Sequence, residues 1–145
     1  MIVRTAHCAC GQLRVDCAGE PQKVSVCYCL DCQRRTGTAF GIAAFYARSN
    51  VVANGRTKAF RRSSDSGFAV TFHFCPDCGS TVFWEPARKP DAIAVAVGSF
   101  ADSGFPAPNQ SVWNERRHDW LPPIAGMRSD ADAGPVATVS RNGKS

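Results

Sequence analysis

Seven of the eight cysteines lie in three closely spaced groups, an arrangement typical of metal ligands. Thiolates favour zinc, and iron accepts the same donors. In the last group a proline and a glycine favour a turn that lets two sulfurs face one ion. The sequence therefore predicts metal binding by three segments: Cys8-Ala9-Cys10-Gly11, Cys27-Tyr28-Cys29-Leu30-Asp31-Cys32 and Cys75-Pro76-Asp77-Cys78-Gly79.

The first and last groups together predict a closed structural zinc site. Cys75 and Cys78 supply only two of the four ligands that a tetrahedral ion needs. Cys8 and Cys10 supply two more thiolates, with a turn glycine of their own. A site with four thiolates leaves no position for a substrate, so its predicted role is to hold the fold together.

The middle group predicts a site of a different kind. Cys27, Cys29 and Cys32 offer three thiolates within six residues, and no other cysteine has comparable local spacing. Three protein ligands leave one coordination position open to water or a substrate atom, which is the mark of a catalytic zinc. We therefore predict a catalytic role for these three cysteines.

Cys17 and the redox state of the thiols leave alternatives open. Cys17 lies in a strand-like run without a turn residue beside it, so a packed free thiol is favoured over a fourth ligand for the middle group. Eight thiols could also form four disulfides. The sequence lacks a recognisable secretory signal, and we expect the reducing cytoplasm, where thiols more often hold metal.

The elements that must position these groups are mostly short strands. Runs rich in β-branched and aromatic residues alternate with turn residues, which predicts a mainly β fold. Asn54-Gly55 predicts a hairpin, and short helical turns are predicted at Leu30–Arg35 and Phe100–Ser103. The predicted strands are Gln12–Cys17, Lys23–Cys27, Phe40–Tyr46, Ala69–Phe74, Thr81–Trp84, Ile93–Val97 and Gln110–Trp113.

Length and composition predict one domain, residues 1–125, followed by a flexible C-terminal tail, 126–145, where glycine, serine, aspartate and asparagine accumulate. The longest apolar run, Ala39–Ala47, is half the roughly 18 residues of a membrane helix, so no membrane partner is expected.

Seventeen basic and twelve acidic residues give a charge of +5. The acidic residues are interspersed, which argues against a nucleic-acid partner.

The order of the motifs resembles the glutathione-dependent formaldehyde-activating enzyme family, over about Thr5 to Pro123. The resemblance rests on seven cysteines in the family's order, a glycine-containing segment after the middle group and a late Trp120-Leu121-Pro122. The segments that carry it are the CxCG group, the CxCxxC group with Gln33-Arg34-Arg35-Thr36-Gly37, and Phe72–Trp84.

This resemblance implies a zinc-binding fold of several small antiparallel sheets with short helical turns. It implies two zinc ions per chain, and the carbon–sulfur lyase activity of an S-(hydroxymethyl)glutathione synthase. The expected partners are then a small-molecule thiol such as glutathione and an aldehyde such as formaldehyde. The ligands it implies are Cys8, Cys10, Cys75 and Cys78 for the structural ion, and Cys27, Cys29 and Cys32 for the catalytic one.

Several other residues are candidates for the same site or for the core. Arg34 and Arg35 could offset thiolate charge or bind substrate carboxylates. Arg61-Arg62 and Arg116-Arg117 are weaker candidates that we interpret as solvated. The cysteines suffice as ligands, so His7, His73 and His118 are interpreted as non-ligands; Trp84, Trp113 and Trp120 are predicted in the core, and Phe40, Phe45 and Tyr46 could wall an apolar pocket.

An alternative function is a zinc-stabilised binding module for nucleic acid or protein, without catalysis. Zinc ribbons often act in this way. The incomplete middle group argues against it, because a purely structural module gains nothing from an unsatisfied ion.

Overall fold

The computed structural model describes residues 1–64 and 66–124, so the predicted tail at 126–145 lies outside the described residues. Ten described strands form two sheets, with one α-helix and three short 3₁₀ turns between them. The predicted mainly β class is confirmed. The strands are β1 (Val3–His7), β2 (Arg14–Ala18), β3 (Lys23–Cys27), β4 (Gly41–Ala47), β5 (Val51–Asn54), β6 (Lys58–Arg62), β7 (Val70–Phe74), β8 (Thr81–Pro86), β9 (Ala92–Ala96) and β10 (Gln110–Val112).

The smaller sheet has the strand order β1-β2-β5, and both pairs are antiparallel. The larger has the order β10-β3-β4-β9-β8-β7-β6, and only the β10–β3 pair is parallel. Strand β1 was not predicted, because Arg4, Thr5 and His7 dilute its apolar alternation. Its pairing with β2 satisfies its backbone, and Ala6 is fully buried.

The main core contains residues from both sheets. Strand alternation directs Ala44, Tyr46 and Val95 of the large sheet and Val15 of the small sheet into one buried cluster. The other face of the large sheet carries a second, smaller apolar cluster: Ala43, Phe72, Trp84 and Ala94. This second face is the one that bears the candidate active site.

The predicted hairpin at Asn54-Gly55 is wrong. Strand β5 before it pairs with β2, and strand β6 after it pairs with β7, so the turn carries the chain from one sheet to the other. Gly55 has φ +112°, and a Cβ there would lie 2.3 Å from the carbonyl oxygen of Gln12. Glycine is therefore required at this position because the backbone of Gln12 approaches it closely. In the sequence, an Asn-Gly pair needed for this reason cannot be distinguished from one that forms a hairpin turn.

Helix α1 (Leu30–Thr36) confirms the predicted turn after the middle cysteine group. Cys29 caps its N-terminus, and Gly37 ends it with φ 70°, the left-handed conformation that glycine favours. The second predicted helical turn lies earlier than expected, at Val97–Phe100. The core prediction holds for Trp84 and Trp113 but is wrong for Trp120, which is 71% exposed.

Among the described residues, no helix has the length and apolar character that a membrane crossing requires.

Candidate metal centres and active site

Two turns that are far apart in the sequence bring four cysteines together. Cys8 and Cys10 follow β1 of the small sheet, whereas Cys75 and Cys78 occupy the turn between β7 and β8 of the large sheet. Their four sulfurs lie within 4.8 Å of one another. The cluster therefore connects the two sheets, and we call it the four-cysteine cluster.

The spacing of these sulfurs fits a tetrahedral zinc ion. Zinc–sulfur bonds of about 2.3 Å in tetrahedral geometry place neighbouring sulfurs about 3.8 Å apart. The Sγ atoms of Cys8 and Cys10 are 3.6 Å apart, and those of Cys10 and Cys75 are 3.7 Å apart. Four sulfurs in this arrangement can complete the coordination of one ion, so the group could hold a metal.

Polar groups around the four-cysteine cluster donate to its sulfurs. The backbone N–H of Leu13 donates to Cys8 Sγ at 3.3 Å, and that of Asp77 donates to Cys75 Sγ at 3.4 Å. The Ser80 hydroxyl lies 3.4 Å from Cys78 Sγ, and hydrogen bonds from Ser80 lower the pKa of Cys78 to about 5. Such donors favour the thiolate form that a metal requires.

Gln12 is a supporting residue that the sequence did not single out. Its side-chain Nε2 donates to Cys75 Sγ at 3.0 Å and to the Arg56 carbonyl at 2.8 Å, while its Oε1 accepts from the Arg56 N–H at 2.9 Å. Arg56 in turn pairs with Asp77 of the cysteine turn. These contacts hold the turn that contains Cys75 and Asp77 against the segment that connects β5 of the small sheet to β6 of the large sheet. A single glutamine after a CxCG motif carries no signal of this role.

The second cluster comes from one continuous segment. Cys27 ends β3, Cys29 caps α1, and Cys32 lies in the first turn of that helix. Their sulfurs also lie within 4.8 Å of one another. The Cys32 N–H donates to Cys29 Sγ at 3.2 Å, which fixes the spacing of these two residues. We call this group the three-cysteine cluster.

The close approach of the thiols and their burial disfavour the ionisation of Cys27 and Cys32. Hydrogen bonds with Cys29 and Cys32, together with burial, raise the pKa of Cys27 well above its usual value. A divalent cation reverses this effect, because it stabilises the thiolate form of its ligands. Three soft donors with this separation could therefore hold one metal ion, with fewer protein ligands than the four-cysteine cluster provides.

A cavity of about 540 Å³ borders the three-cysteine cluster. Cys27 and Cys32 line it, whereas Cys29 is fully buried and is not among the lining residues. Trp84 and Phe45 contribute apolar walls, so the predicted pocket-forming role of Phe45 agrees with the structure. Tyr46 instead lies in the main core, and Phe40 packs edge-on against Tyr28 at 6.0 Å.

The two predicted substrate arginines have different surroundings. Arg34 is 68% exposed, lies 3.7 Å from Asp31 and does not line the cavity. The Arg35 guanidinium lines the cavity, 4.3 Å from the Trp84 ring centroid. Its buried Nε has no hydrogen-bond partner among the described residues. A guanidinium that lines the same cavity as Cys32 makes Arg35 the stronger candidate of the two.

Arg62 is a cavity residue that the sequence interpretation treated as solvated. Its side chain is 18% exposed, lies 5.2 Å from the Phe72 ring centroid and pairs with Asp31 at 3.5 Å. Arg61, its neighbour, is exposed, as strand alternation requires. Which of two adjacent arginines faces a cavity depends on strand register, and the sequence alone did not fix that register.

The remaining candidates lie outside both clusters. Cys17 is fully buried in the main core, and burial raises the pKa of its thiol to about 12. His73 pairs with Glu85 at 2.7 Å and stacks on Phe83 with 4.6 Å between ring centroids. These contacts agree with the interpretation of Cys17 as a packed thiol and of His73 as a residue that does not bind metal. All eight cysteines have free sulfurs in the structure.

Comparison with known proteins identifies a family and a similar fold. The sequence model of the glutathione-dependent formaldehyde-activating enzyme family matches residues 3–116. No curated protein matches the chain. Among solved structures, the fold is similar to the crystal structure of a Rhodobacter sphaeroides protein determined as a structural-genomics target. The identity is 20% and the TM-score 0.53, over 69% of this chain and 88% of that one, so this likeness shows the fold alone.

Proposed function

The chain belongs to the glutathione-dependent formaldehyde-activating enzyme family, and from this membership we propose that it is a zinc-dependent carbon–sulfur lyase. Its proposed reaction is the addition of a thiol such as glutathione to a small aldehyde such as formaldehyde, or the reverse cleavage. The proposed setting is the reducing cytoplasm, where thiols stay available for metal. The observation that carries the proposal is the contact between the three-cysteine cluster and the cavity.

The two clusters have different proposed roles. Cys8, Cys10, Cys75 and Cys78 would hold a structural zinc ion that joins the two sheets. Cys27, Cys29 and Cys32 would hold the second ion, which when bound supplies a Lewis-acidic position that keeps a substrate thiol ionised at neutral pH. Both assignments use every cysteine except the buried Cys17.

The proposed chemistry balances without another reactant. A carbon–sulfur bond forms between the thiol sulfur and the aldehyde carbon, the carbonyl π bond breaks, and the thiol proton ends on the new hydroxyl group. The chain's contribution is to hold the two reactants together in a partly apolar cavity, where a correct orientation replaces a random encounter. A hydrogen bond with Cys27 lowers the pKa of Cys32, whereas a hydrogen bond with Cys29 and burial raise it, and the net pKa is raised to about 11. The positive charge of Arg35 opposes this rise and so favours the thiolate form of Cys32.

Replacement of one ligand tests this proposal. We expect Cys29→Ser to lose one of two metal ions and the turnover of glutathione with formaldehyde above the spontaneous rate. Cys17→Ser is the matched control, because Cys17 is as buried as Cys29 but belongs to neither cluster. Metal analysis and a coupled assay of the adduct measure the two effects. A Cys29→Ser variant that keeps both its metal content and its turnover would contradict the proposal.

A further inference from the structure

We propose that the thiol substrate is an amphipathic anion, with an apolar body between its sulfur and a distal carboxylate. This inference rests on the proposed function, because it names the substrate class of the same site. It is carried by the juxtaposition of the three-cysteine cluster, an apolar sheet face and a cationic rim within one cavity.

Strand register determines the shape of the cavity floor. Cys27 pairs with Gly41, Ser25 pairs with Ala43, and Ala43 also pairs with Ala96 of β9. Residues in register on neighbouring strands point to the same face of the sheet. Cys27 with Gly41, and Ser25 with Ala43 and Ala96, therefore form two adjacent rows of small side chains, which leave a depression in that face. Larger side chains border it in the next row, in which Lys23, Phe45, Ala94, Trp84 and Phe72 are successive partners.

The depression runs along β3 from the sulfurs to its other end. Lys23 and Cys27 both line the cavity and lie four residues apart on this strand. A strand rises about 3.3 Å per residue, so the two ends are about 13 Å apart. A ligand whose sulfur lies beside Cys27 and whose other end reaches Lys23 must therefore have an extended body of about that length.

Besides Arg35 beside the sulfurs and Arg62 paired with Asp31, the cavity carries three cationic side chains toward its other end. The loop between β8 and β9 lies at the level where β4 ends, and its residues Arg88 and Lys89 line the cavity, as does Lys23 at the corresponding end of β3. Neither Arg88 nor Lys89 has an ion pair among the described residues, and no described residue that lines the cavity is acidic. An anionic group on the ligand matches this rim.

The section between the two ends is poorly suited to a peptide-like body. The neutral polar side chains that line the cavity are already hydrogen-bonded in pairs: Gln110 Nε2 donates to Ser25 Oγ at 3.2 Å, and the hydroxyls of Ser64 and Ser66 are 2.6 Å apart. The neighbouring surfaces are Ala43, Phe45 and Trp84. Amide groups buried there would lose hydrogen bonds to water and regain only part of them from the protein, which costs free energy. Methylene groups buried there lower the free energy, because their apolar surface is removed from water. The cavity therefore favours a hydrocarbon body over the peptide backbone of glutathione.

A series of ω-mercaptoalkanoates tests the inference on the zinc-loaded full chain. We expect 11-mercaptoundecanoate to bind at least about 100-fold more tightly than 3-mercaptopropionate, because its methylene groups cover the apolar floor. Titration calorimetry below the micelle concentration measures the affinities. Quenching of tryptophan fluorescence reports occupancy beside Trp84 and Trp113, and metal analysis before and after excludes extraction of zinc by the thiols. Equal affinities along the series would overturn the inference.

The cationic rim is tested separately by charge removal. We expect the double variant R88Q/K89Q to weaken 11-mercaptoundecanoate about 10-fold and to leave the neutral 11-mercapto-1-undecanol unchanged. The matched control is K58Q/R61Q, which removes two exposed cations of β6 that do not line the cavity. A similar loss of affinity in both double variants would indicate long-range attraction only and would overturn the proposed rim.

The inference and the proposed function can fail independently. Normal turnover of glutathione and formaldehyde, combined with no preference for the long anion, would overturn the inference and leave the enzyme assignment intact. Conversely, undecanoate that binds as tightly as 11-mercaptoundecanoate would show that the sulfur is not recognised, which overturns the thiol assignment. Tight, sulfur-dependent and rim-dependent binding supports the inference.

Discussion

The four-cysteine and three-cysteine clusters offer the same ligand chemistry in different structural settings. The first draws its sulfurs from turns 65 residues apart in the sequence and in different sheets, while the second draws them from one segment of six residues. The first is held by several surrounding hydrogen-bond donors, whereas the second borders a cavity. A metal ion that joins distant segments stabilises the fold. A metal ion held by three ligands from one local segment beside a cavity keeps a coordination position open for a substrate atom.

The difference predicts unequal losses of stability when a ligand is removed, and this is the largest expected effect. Cys75→Ser removes a ligand that joins the two sheets, so we expect loss of the structural ion and a fall of several kcal/mol in the free energy of unfolding. Cys29→Ser should lose an ion with a much smaller change in stability. Thermal denaturation with metal analysis compares the two variants. Equal destabilisation by both would remove the distinction between the clusters.

The contacts of Gln12 sharpen the comparison on the structural side. Gln12→Ala removes the donor to Cys75 Sγ and the link to Arg56, and such supporting residues typically change metal affinity by about 10- to 100-fold. We expect competition with a zinc chelator to release the structural ion earlier while the other ion is unaffected. Gln22→Ala, an exposed glutamine elsewhere, is the control. Unchanged zinc release from Gln12→Ala would contradict the supporting role.

Arg35 sharpens the comparison on the cavity side. We expect Arg35→Ala to raise KM for an anionic thiol about 10-fold, the size of one charge-assisted hydrogen bond, with little effect on stability. Gly41→Ala should act in the same direction, because a Cβ there would lie 2.6 Å from Arg35 Nη2. Arg34→Ala is the control, since Arg34 is exposed outside the cavity. Steady-state kinetics on the three variants separates these outcomes, and an equal rise in KM for Arg34→Ala would contradict the assignment.

The eighth cysteine gives the smallest predicted effect. Burial raises the pKa of Cys17 from 9.0 to about 12, so the folded chain holds this proton more tightly than the unfolded chain does. Its contribution to stability is therefore present below pH 9 and is lost as the pH rises toward 12. We expect iodoacetamide to alkylate Cys17 more slowly at pH 8 than Cys78 of the metal-stripped four-cysteine cluster, which is less buried and whose pKa is lowered to about 5, as measured by mass spectrometry. Rapid alkylation of Cys17 in the native state would contradict its burial.

Much of the fold followed from local patterns. The runs around β2, β3, β4, β7, β8, β9 and β10 were predicted to within a few residues, because alternation and turn residues act over short distances. Which strands pair with one another was harder to predict from the sequence. The Asn54-Gly55 turn had the composition of a hairpin, but β5 and β6 on either side of it belong to different sheets. Strand β5 forms its backbone hydrogen bonds with β2, and β6 forms them with β7.

The sequence by itself determined the grouping of the cysteines, the mainly β class and the family, because ligand type, short spacing and alternation are properties of neighbouring residues. Tertiary structure alone decided that Trp120 is exposed, that Arg35 and not Arg34 faces the cavity, and that Gln12 supports a distant sulfur. Those outcomes depend on which strands lie side by side and in which register. A shift of one residue would turn a strand's side chains to the opposite face without any change in its local pattern.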